Sequence, residues 1–379
     1  MATVVALCAC GSSRPATSAE SLSPREVPNG LSLTYAIESY GGRVTSAALN
    51  RTVEVLKARM KKVGVKGAIQ TRRDILILTL PRPEAEAARA VTGTGRLYFY
   101  DWEPNVIGPD GKPAPTEGTV TGDSTREGPG GATAGLPMYE AVLRAAKRLP
   151  ELRENDTTWS SGCLPRQSAG CSFGSWYLLD TEHEKVLRGP EETQANLKGE
   201  LKLQPGAVTK AVRVNPGTVL VQAHAVESAN GKVVNKSPAS WYVLRDDPVL
   251  TGADVTHPQQ GYNEGSGGNG QPNVNFGFNS RGRMAFERLT KEIAHRGQEA
   301  QLPGVPKEAA LQHFAVALDG QLITVPSIDY TQYPEGIDAR NGSEVSGGFT
   351  TTSARALAAE LQSGTLPLRL TLVSRPGLT

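Results

Sequence analysis

The 379-residue sequence lacks any apolar run of the roughly 20 residues that a helix needs to cross a bilayer, so no transmembrane helix is expected. An excess of either charge is also absent, because 40 basic and 38 acidic residues are spread along the chain without a lysine or arginine block. Nucleic acid is therefore not an expected partner. Aromatic residues make up only 6%, whereas 41 glycines and 26 prolines predict that compact parts alternate with loops.

Cysteine and histidine are scarce, which limits the metal sites that the chain can form. Of the four cysteines, Cys163 and Cys171 lie in a segment rich in glycine and serine. In an exported protein such a pair predicts a disulfide that closes a small loop. A metal site is the alternative, but two cysteines lack the other ligands, and the five histidines do not stand at zinc spacing. We predict neither a metal site nor a cofactor.

The other two cysteines lie near the N-terminus. Residues 2–9 are mostly apolar, and Cys10 is followed by a tether rich in proline, serine and threonine that runs to about residue 28. Small residues before such a cysteine are typical of a lipoprotein signal, which predicts lipidation of Cys10 and attachment to the extracytoplasmic face of the membrane. The segment has no basic start, and Cys8 stands where alanine or serine is commoner. A merely apolar chain end is therefore the open alternative.

The periods of the apolar residues predict an α+β fold whose first unit, residues 29–103, is a ferredoxin-like base. Strands show the period of two, and the helix before Gly64 has one apolar stripe. The predicted elements are strand 31–37, helix 49–63, edge segment 67–71, strand 75–80, helix 84–91 and strand 95–101, in the order β-α-β-β-α-β.

An aromatic cluster, Tyr98, Phe99, Tyr100 and Trp102, lies at the end of this first unit. One interpretation is a strand that packs its alternate faces. The other is that part of the cluster is exposed at an open sheet edge, where an extended polypeptide adds as a further strand.

Residues 104–242 are predicted to be a variable insertion without a recognisable motif. Its first part, residues 104–135, is rich in glycine and proline and contains almost no large apolar residues, which predicts a mobile loop. The elements predicted beyond it are a helix at 137–149, strands at 176–179, 218–225 and 241–244, and a hairpin turn at Asn230-Gly231.

Residues 243–379 are predicted to form a second α+β unit, the head. Apolar runs on both sides of Asp319-Gly320 predict a two-residue hairpin, because both turn positions need a positive φ. The other predicted elements are a strand at 274–278, a helix at 281–295, a helix that Thr350–Thr352 can cap and Gly364 ends, and a strand at 366–372. A return of this last strand to the base is an open possibility.

Catalytic patterns are missing from the sequence. It has no Gly-x-Ser-x-Gly, and its glycine-rich stretches lack the Lys-Ser/Thr of a phosphate-binding loop. Asp246 and Asp247 are adjacent, and adjacent residues of a strand point to opposite faces, so they do not form a carboxylate pair. The hairpin turn accounts for Asp319 without a role as a base. We predict that the protein is not an enzyme.

Ordered motifs near both ends of the chain resemble the periplasmic first domain of SecD, a subunit of the SecDF protein-export complex. The N-terminal motifs are residues 53–59, 75–81 and 93–99, and the C-terminal motifs begin at Leu250. The C-terminal motif residues, interpreted as structural, are Gly252, Asp254, Gly282, Phe286, Asp319, Gly320, Pro326, Gly347, Phe349, Gly364 and Pro367.

The resemblance implies a base, a head that moves on it, and a place outside the membrane. It also implies binding of unfolded or emerging preprotein, with Sec translocon subunits as partners. We expect a form without transmembrane helices, so energy transduction by a proton gradient is not carried over. The alternative is a lipid-anchored binding or structural protein of the envelope that uses the same scaffold for another ligand, such as a glycan.

Overall fold

The computed structural model describes residues 30–39, 43–81, 88, 91–109, 111, 135–147, 175–191, 193–197, 203–223, 240–263, 270–304, 306–346 and 349–374. Within these ranges no helix is long and apolar enough to span a membrane. Lipidation of Cys10, the pairing of Cys163 with Cys171, the turn at Asn230-Gly231 and the motif residue Gly347 lie outside the described residues. These four therefore stay predictions.

The fold is α+β, and its strands fall into four sheets. The helices with described bounds are α1 (Ser46–Val63), α2 (Trp102–Asn105), α3 (Met138–Ala145), α4 (Ser280–Ala300), α5 (Lys307–Ala310) and α6 (Thr351–Ser363). The strands are β1 (Gly30–Ser39), β2 (Ala68–Arg72), β3 (Ile75–Pro81), β4 (Leu97–Asp101), β5 (Trp176–Asp180), β6 (Lys185–Glu191), β7 (Thr209–Arg213), β8 (Thr218–Ala223), β9 (Trp241–Arg245), β10 (Leu250–Thr251), β11 (Val255–Tyr262), β12 (Pro272–Phe278), β13 (Gln312–Leu318), β14 (Gln321–Thr324), β15 (Ser327–Ile328), β16 (Ser343–Val345) and β17 (Leu368–Ser374).

Capping side chains explain where the long helices begin and end. The hydroxyl of Thr45 accepts a hydrogen bond from Ala48 N at the start of α1, and Gly64 ends that helix at a φ of 79°. Asn279 caps α4, and Thr350 with Ser353 forms a reciprocal capping box at the start of α6. Each cap satisfies backbone N–H groups that have no partner within the helix. The predicted caps at Thr350 and Gly64 are confirmed.

The first sheet, which we call the base sheet, is antiparallel throughout and has the strand order β17-β1-β3-β2. Helix α1 packs on it through Val55, Leu56 and Met60. The strand beside β1 is β17 from the C-terminal end of the described chain, in the register Ile37 opposite Leu370. Two distant parts of the chain therefore build one sheet.

The prediction that the strand near residues 95–101 completes the base is wrong. Strand β4 lies instead in a seven-stranded sheet, the head sheet, with the order β10-β4-β13-β14-β8-β9 and β15 paired to β13. Leu97, Phe99 and Tyr100 are almost completely buried. A strand that is apolar on both faces needs cover on both sides. Phe99 packs in one core with Phe276 and Phe286, and Tyr100 packs in another with Tyr242 and Leu244.

The aromatic cluster accordingly does not form an exposed binding edge. Phe99, Tyr100 and Trp102 are each at most 1% exposed, and β4 has hydrogen-bonded neighbours on both sides. Phe99 contacts the rings of Phe276, Phe278 and Phe314. The cluster is part of the hydrophobic core, and the interpretation as a polypeptide-binding edge is wrong.

The Asp319-Gly320 turn joins β13 to β14 as predicted, with φ values of 51° and 77°. Strand β14 then runs parallel to β8, which brings residues from the middle of the chain into the head sheet. The predicted boundary at residue 243 thus cuts through this sheet, since β8 and β9 both belong to it. A separate small sheet of order β6-β5-β7 also lies in the middle part.

The predicted mobile loop does not begin at residue 104. Helix α2 spans that position, and Val106 and Ile107 are 2% and 1% exposed. The Ile107 N–H donates to the carbonyl of Val243 at 2.9 Å. These two apolar residues are enough to fix the start of the segment in the core, although its average composition is that of a loop.

The last sheet, the pocket sheet, has the order β11-β12-β16. One face carries Val274, Phe276 and Val345, which pack in the same core as Phe286 of α4 and Leu357 of α6. Helix α6 lies against β11 and β12 on one side and against α1 on the other. It therefore connects the base sheet to the pocket sheet.

The position of β4 predicts the effect of truncating its central aromatic. Phe99→Ala removes a ring that is 1% exposed and packed among other aromatics, so the free energy of unfolding is expected to fall by about 3–5 kcal/mol. Urea denaturation measures this fall. Met284→Ala, at a position that is 58% exposed, is the control and is expected to change stability little. Equal effects of the two substitutions would contradict the placement of β4.

Candidate functional site in the pocket sheet and at the junction

A pocket of about 560 Å³ opens on the polar face of the pocket sheet. Gln259 of β11, Asn275 of β12 and Glu344 of β16 are direct neighbours in register and form a row across the three strands. The alternation of β12 explains this face, because Val274 and Phe276 point to the core and Asn273 and Asn275 to the opposite side. The pocket is lined by His257, Gln259, Asn275, Phe276, Gly277, Arg340, Asn341, Gly342, Ser343 and Glu344.

Two glycines leave room for the side chains of this row. Gly342 ends a short 3-10 turn at a φ of 87°, and a Cβ atom there would lie 2.6 Å from the carbonyl oxygen of Phe276. At Gly261, opposite Asn273, a Cβ atom would lie 2.8 Å from Asn273 Oδ1 and would also collide with the Asn275 amide. Any larger residue at either position would displace the strand or the amide groups.

The amide groups of the polar face form some hydrogen bonds within the sheet and leave others unmade. Asn273 is 1% exposed, and its Nδ2 donates to Glu344 Oε2 at 2.6 Å. Its Oδ1 is buried and accepts no hydrogen bond from the residues that the structure describes. Asn275, in contrast, is exposed to the pocket. The lining thus offers several donors and acceptors, with one carboxylate and one guanidinium at its rim.

A second polar site lies where the chain passes from the base sheet to β4. We call residues Gly93–Arg96 the connector. The side chain of Asp319 accepts hydrogen bonds from the Thr94 hydroxyl, from Gly95 N at 3.1 Å and from Arg96 N at 2.8 Å. The turn interpretation of Asp319 was therefore incomplete, because its carboxylate also fixes the connector to the head sheet.

Arg59 of α1 approaches the connector from the base side and is fully buried. Its guanidinium donates to the carbonyls of Val91 at 3.1 Å, of Gly93, and of Gly364 at 2.8 Å. The Gly364 carbonyl lies just after α6. One side chain of α1 thus joins the two chain segments that leave and re-enter the base.

Glu360 of α6 completes this cluster and is 4% exposed. Its Oε1 lies 3.8 Å from Arg59 Nη1, which is too far for a hydrogen bond. Burial raises the pKa of Glu360 well above its ordinary value, the negative charge of Asp319 raises it further, and Arg59 opposes both effects. We call Arg59, Asp319, Glu360 and the connector the junction.

A further buried ionisable group lies between α2, β4, α4 and β13. Both carboxylate oxygens of Glu103 accept from His313 N, at 3.0 and 3.1 Å, and the ring Nδ1 of His313 lies 2.8 Å from Glu103 Oε1. Next to it, burial raises the pKa of Asp101 to about 6, against the attraction of Arg296. Among the described residues no cluster of three or more His, Cys, Asp or Glu side chains has the arrangement of a metal site.

The C-terminal motif residues that the structure describes lie at the junction or in and around the head core, and none of them lines the pocket. Asp254 accepts from Thr251 N at 2.9 Å and from two nitrogens of Arg281, and a Cβ atom at Gly282 would come within 2.8 Å of Asp254 Cβ. Phe286 is in the head core, and Phe349 packs against it.

The remaining motif residues also have backbone or packing contacts. A Cβ atom at Gly252 would lie 3.5 Å from that of Leu97, and the Pro326 carbonyl accepts from Phe314 N at 3.2 Å. Gly320 is the second turn residue, Gly364 accepts from Arg59, and Pro367 directly precedes β17.

Sequence reasoning did not single out Glu360 or the amide row. Glu360 stands within the alanine-rich stripe of α6, and a charged residue on an apolar helix face is a signal of a buried partner. Arg59 interrupts the apolar face of α1 in the same way. The amide row had no such signal, because alternation of polar residues is typical of any solvated sheet face.

Comparison with known proteins shows which proteins this chain resembles. Residues 226–368 match the family model of the SecDF P1 head subdomain. The chain is 28% identical over 163 residues to the protein translocase subunit SecD of Calditerrivibrio nitroreducens. This match covers 42% of this chain and 25% of that protein. It is also 28% identical over 133 residues to SecD of Rickettsia bellii, covering 35% of this chain and 21% of that protein.

The resemblance to the periplasmic part of SecD is therefore confirmed, and the chain is SecD-like. The matches span a quarter or less of the length of these relatives. Among solved structures, the chain is similar to SecDF, described as a membrane component that enhances protein export. The match has 17% identity and a TM-score of 0.39, and it covers 92% of this chain and 100% of that one. A second, SecDF in a super-membrane-facing form, gives 17% identity and a TM-score of 0.40, covering 91% of this chain and 30% of that one.

The contacts of Arg59 predict that the junction depends on this side chain. Arg59→Met leaves the carbonyls of Val91, Gly93 and Gly364 without that donor, so a loss of about 3–5 kcal/mol in the free energy of unfolding is expected in urea denaturation. The matched control is Arg51→Met on the same helix, where the side chain is 66% exposed and little change is expected. A small effect of Arg59→Met would show that water or neighbouring groups replace the guanidinium.

Proposed function

We propose that the protein is a noncatalytic, extracytoplasmic SecD-like module of protein export that binds unfolded or translocating polypeptide in the pocket of the head. The pocket lies within the segment that matches the SecDF P1 head model. The observation that carries the proposal is the row of Gln259, Asn275 and Glu344 across the pocket sheet.

The chemistry of this row suits a polypeptide whose sequence varies. Every peptide group other than that of proline carries one donor and one acceptor, and the primary amides of Gln259 and Asn275 carry both as well. Hydrogen bonds to the main chain of a client do not depend on its side chains. Export clients share an unfolded main chain and little else, so recognition of this kind is what such a module needs.

The edge of the pocket sheet adds a second means of main-chain binding. Strand β16 ends the sheet order and pairs with β12 alone among the strands that the structure describes. Its other edge pairs with no described strand, so we propose that an extended segment of a client adds there by β-augmentation. We propose that one segment of the client adds to β16 and that the segment next to it crosses the pocket, where its main chain faces the amide row.

The proposed setting follows from the relatives and from the N-terminal sequence. The relatives are named protein translocase subunits, so Sec translocon subunits are the partners that we propose. Lipidation of Cys10 would hold the module at the extracytoplasmic membrane surface. The role of the head is then to bind client chain.

Asn275→Ala tests this function. The full chain is titrated into a fluorescent, reduced and alkylated polypeptide that cannot fold, and Kd is measured by anisotropy. The substitution is expected to raise Kd by about 5- to 30-fold, because one or two hydrogen bonds of about 1 kcal/mol each are lost. Gln204→Ala, an exposed amide outside the pocket, is the matched control and should leave Kd unchanged.

Two results would overturn the proposal. One is the absence of binding by the unsubstituted chain. The other is an equal Kd for Asn275→Ala and Gln204→Ala, which would place the client elsewhere. Retention of the chain on cell-envelope glycan without any affinity for the unfolded polypeptide would instead favour an envelope-binding protein.

A further inference from the structure

The junction brings four separate chain segments to one buried point. Arg59 comes from α1, Glu360 from α6, Asp319 from the turn between β13 and β14, and Gly93 from the connector. A Cβ atom at Gly93 would collide with Glu360 Oε1 and would lie 2.8 Å from Asp319 Oδ2. Both carboxyl groups therefore face the same backbone atom, one from the base side and one from the head side.

The charges that act on the Glu360 carboxyl do not balance when it is ionised, because the negative charge of Asp319 opposes it and Arg59 is the cation that acts on it. The guanidinium of Arg59 is already bonded to backbone carbonyls of the connector and of Gly364. Asp319 is held by the backbone N–H groups of Gly95 and Arg96. A negative charge on Glu360 would thus be buried beside that of Asp319.

Among the residues that the structure describes, the other elements that pack on α6 bring no further charge to Glu360. Strand β11 meets α6 through the Pro258 carbonyl, which accepts from Gln362, and its His257 lies in the pocket. Strand β12 faces α6 with Val274 and Phe276 of the head core. The balance at the junction is therefore set by Arg59 and Asp319.

We propose that Glu360 is a proton-operated latch between the base and the head. In its neutral form the carboxyl holds α6 against the connector and the Asp319 turn. When it ionises, repulsion from Asp319 and the cost of the buried charge separate these segments. This inference concerns the motion of the head and is independent of polypeptide binding in the pocket.

The direction of the pH dependence follows from the raised pKa of Glu360. A carboxyl whose pKa is higher in the folded protein than in the unfolded chain binds its proton more tightly when folded. The stabilisation of the closed junction is therefore complete below the ordinary carboxyl pKa and is lost as the pH rises through the raised value. Acid closes the latch, and alkali opens it.

Hydrogen exchange at the connector measures the latch directly. The amides of Gly95 and Arg96 are bonded to Asp319, so their protection, corrected for the intrinsic rate, reports closure of the junction. As the pH rises above the ordinary carboxyl range, the protection is expected to fall about tenfold or more in the unsubstituted chain. In Glu360→Gln it should not change with pH, and amides of β3 should stay protected in both proteins.

Two further variants keep the test decisive. Glu308→Gln, at an exposed position, is the matched control and should retain the pH dependence. Asp319→Asn removes the charge of the side chain and keeps one of its two acceptor oxygens, so the protection should be lower at every pH and its fall should move to lower pH. A pH-independent connector in the unsubstituted chain would overturn the proposal. The same pH dependence of protection in Glu360→Gln would also overturn it, because another group such as Asp101 would then be responsible. So would a fall in protection at the same pH in Asp319→Asn as in the unsubstituted chain.

Discussion

The buried guanidinium of Arg59 joins chain segments that no sheet or helix connects. It reaches the carbonyls of Val91 and Gly93, where the chain leaves the base, and of Gly364, where the chain comes back. A guanidinium presents several N–H donors in one rigid plane, so one side chain can satisfy three carbonyls that point to the same place. A lysine has a single nitrogen and could not reach all three.

The need for this interaction comes from the path of the chain. The base sheet is completed by β17, whose residues pair with β1 across nearly the whole sequence, and the head lies between them in the chain. Ordering such distant segments costs loop-closure entropy, which local contacts cannot offset. The junction shortens this effective loop, because Arg59 binds the carbonyls of both the exit and the return, and Leu366 N donates directly to the carbonyl of Thr94. The stability of the base is thus linked to the docking of the head.

Local structure was predictable from the sequence, whereas the choice of sheet partners was not. The turn at Asp319-Gly320 and the cap at Thr350 depend on neighbouring residues only, and both were predicted correctly. Strand β4 was recognised as a strand but assigned to the wrong sheet. A period of two shows that alternate residues face opposite sides, and it carries no information about the strand that lies next to it. The junction was missed for the same reason, since Arg59 and Glu360 are about 300 residues apart in the chain and meet only through the tertiary fold.

The resemblance to SecD rests largely on residues that build the scaffold, and this separates the evidence for fold from the evidence for function. Asp319, Gly364 and Gly282 hold backbone segments together. None of Gln259, Asn275 and Glu344, which line the pocket, is among the motif residues. A protein can keep every scaffold residue and bind a different ligand, because fold and ligand are set by different side chains. The class of ligand must therefore be argued from the pocket itself, where the amide groups of Gln259 and Asn275 offer both donors and acceptors, as the main chain of a polypeptide does.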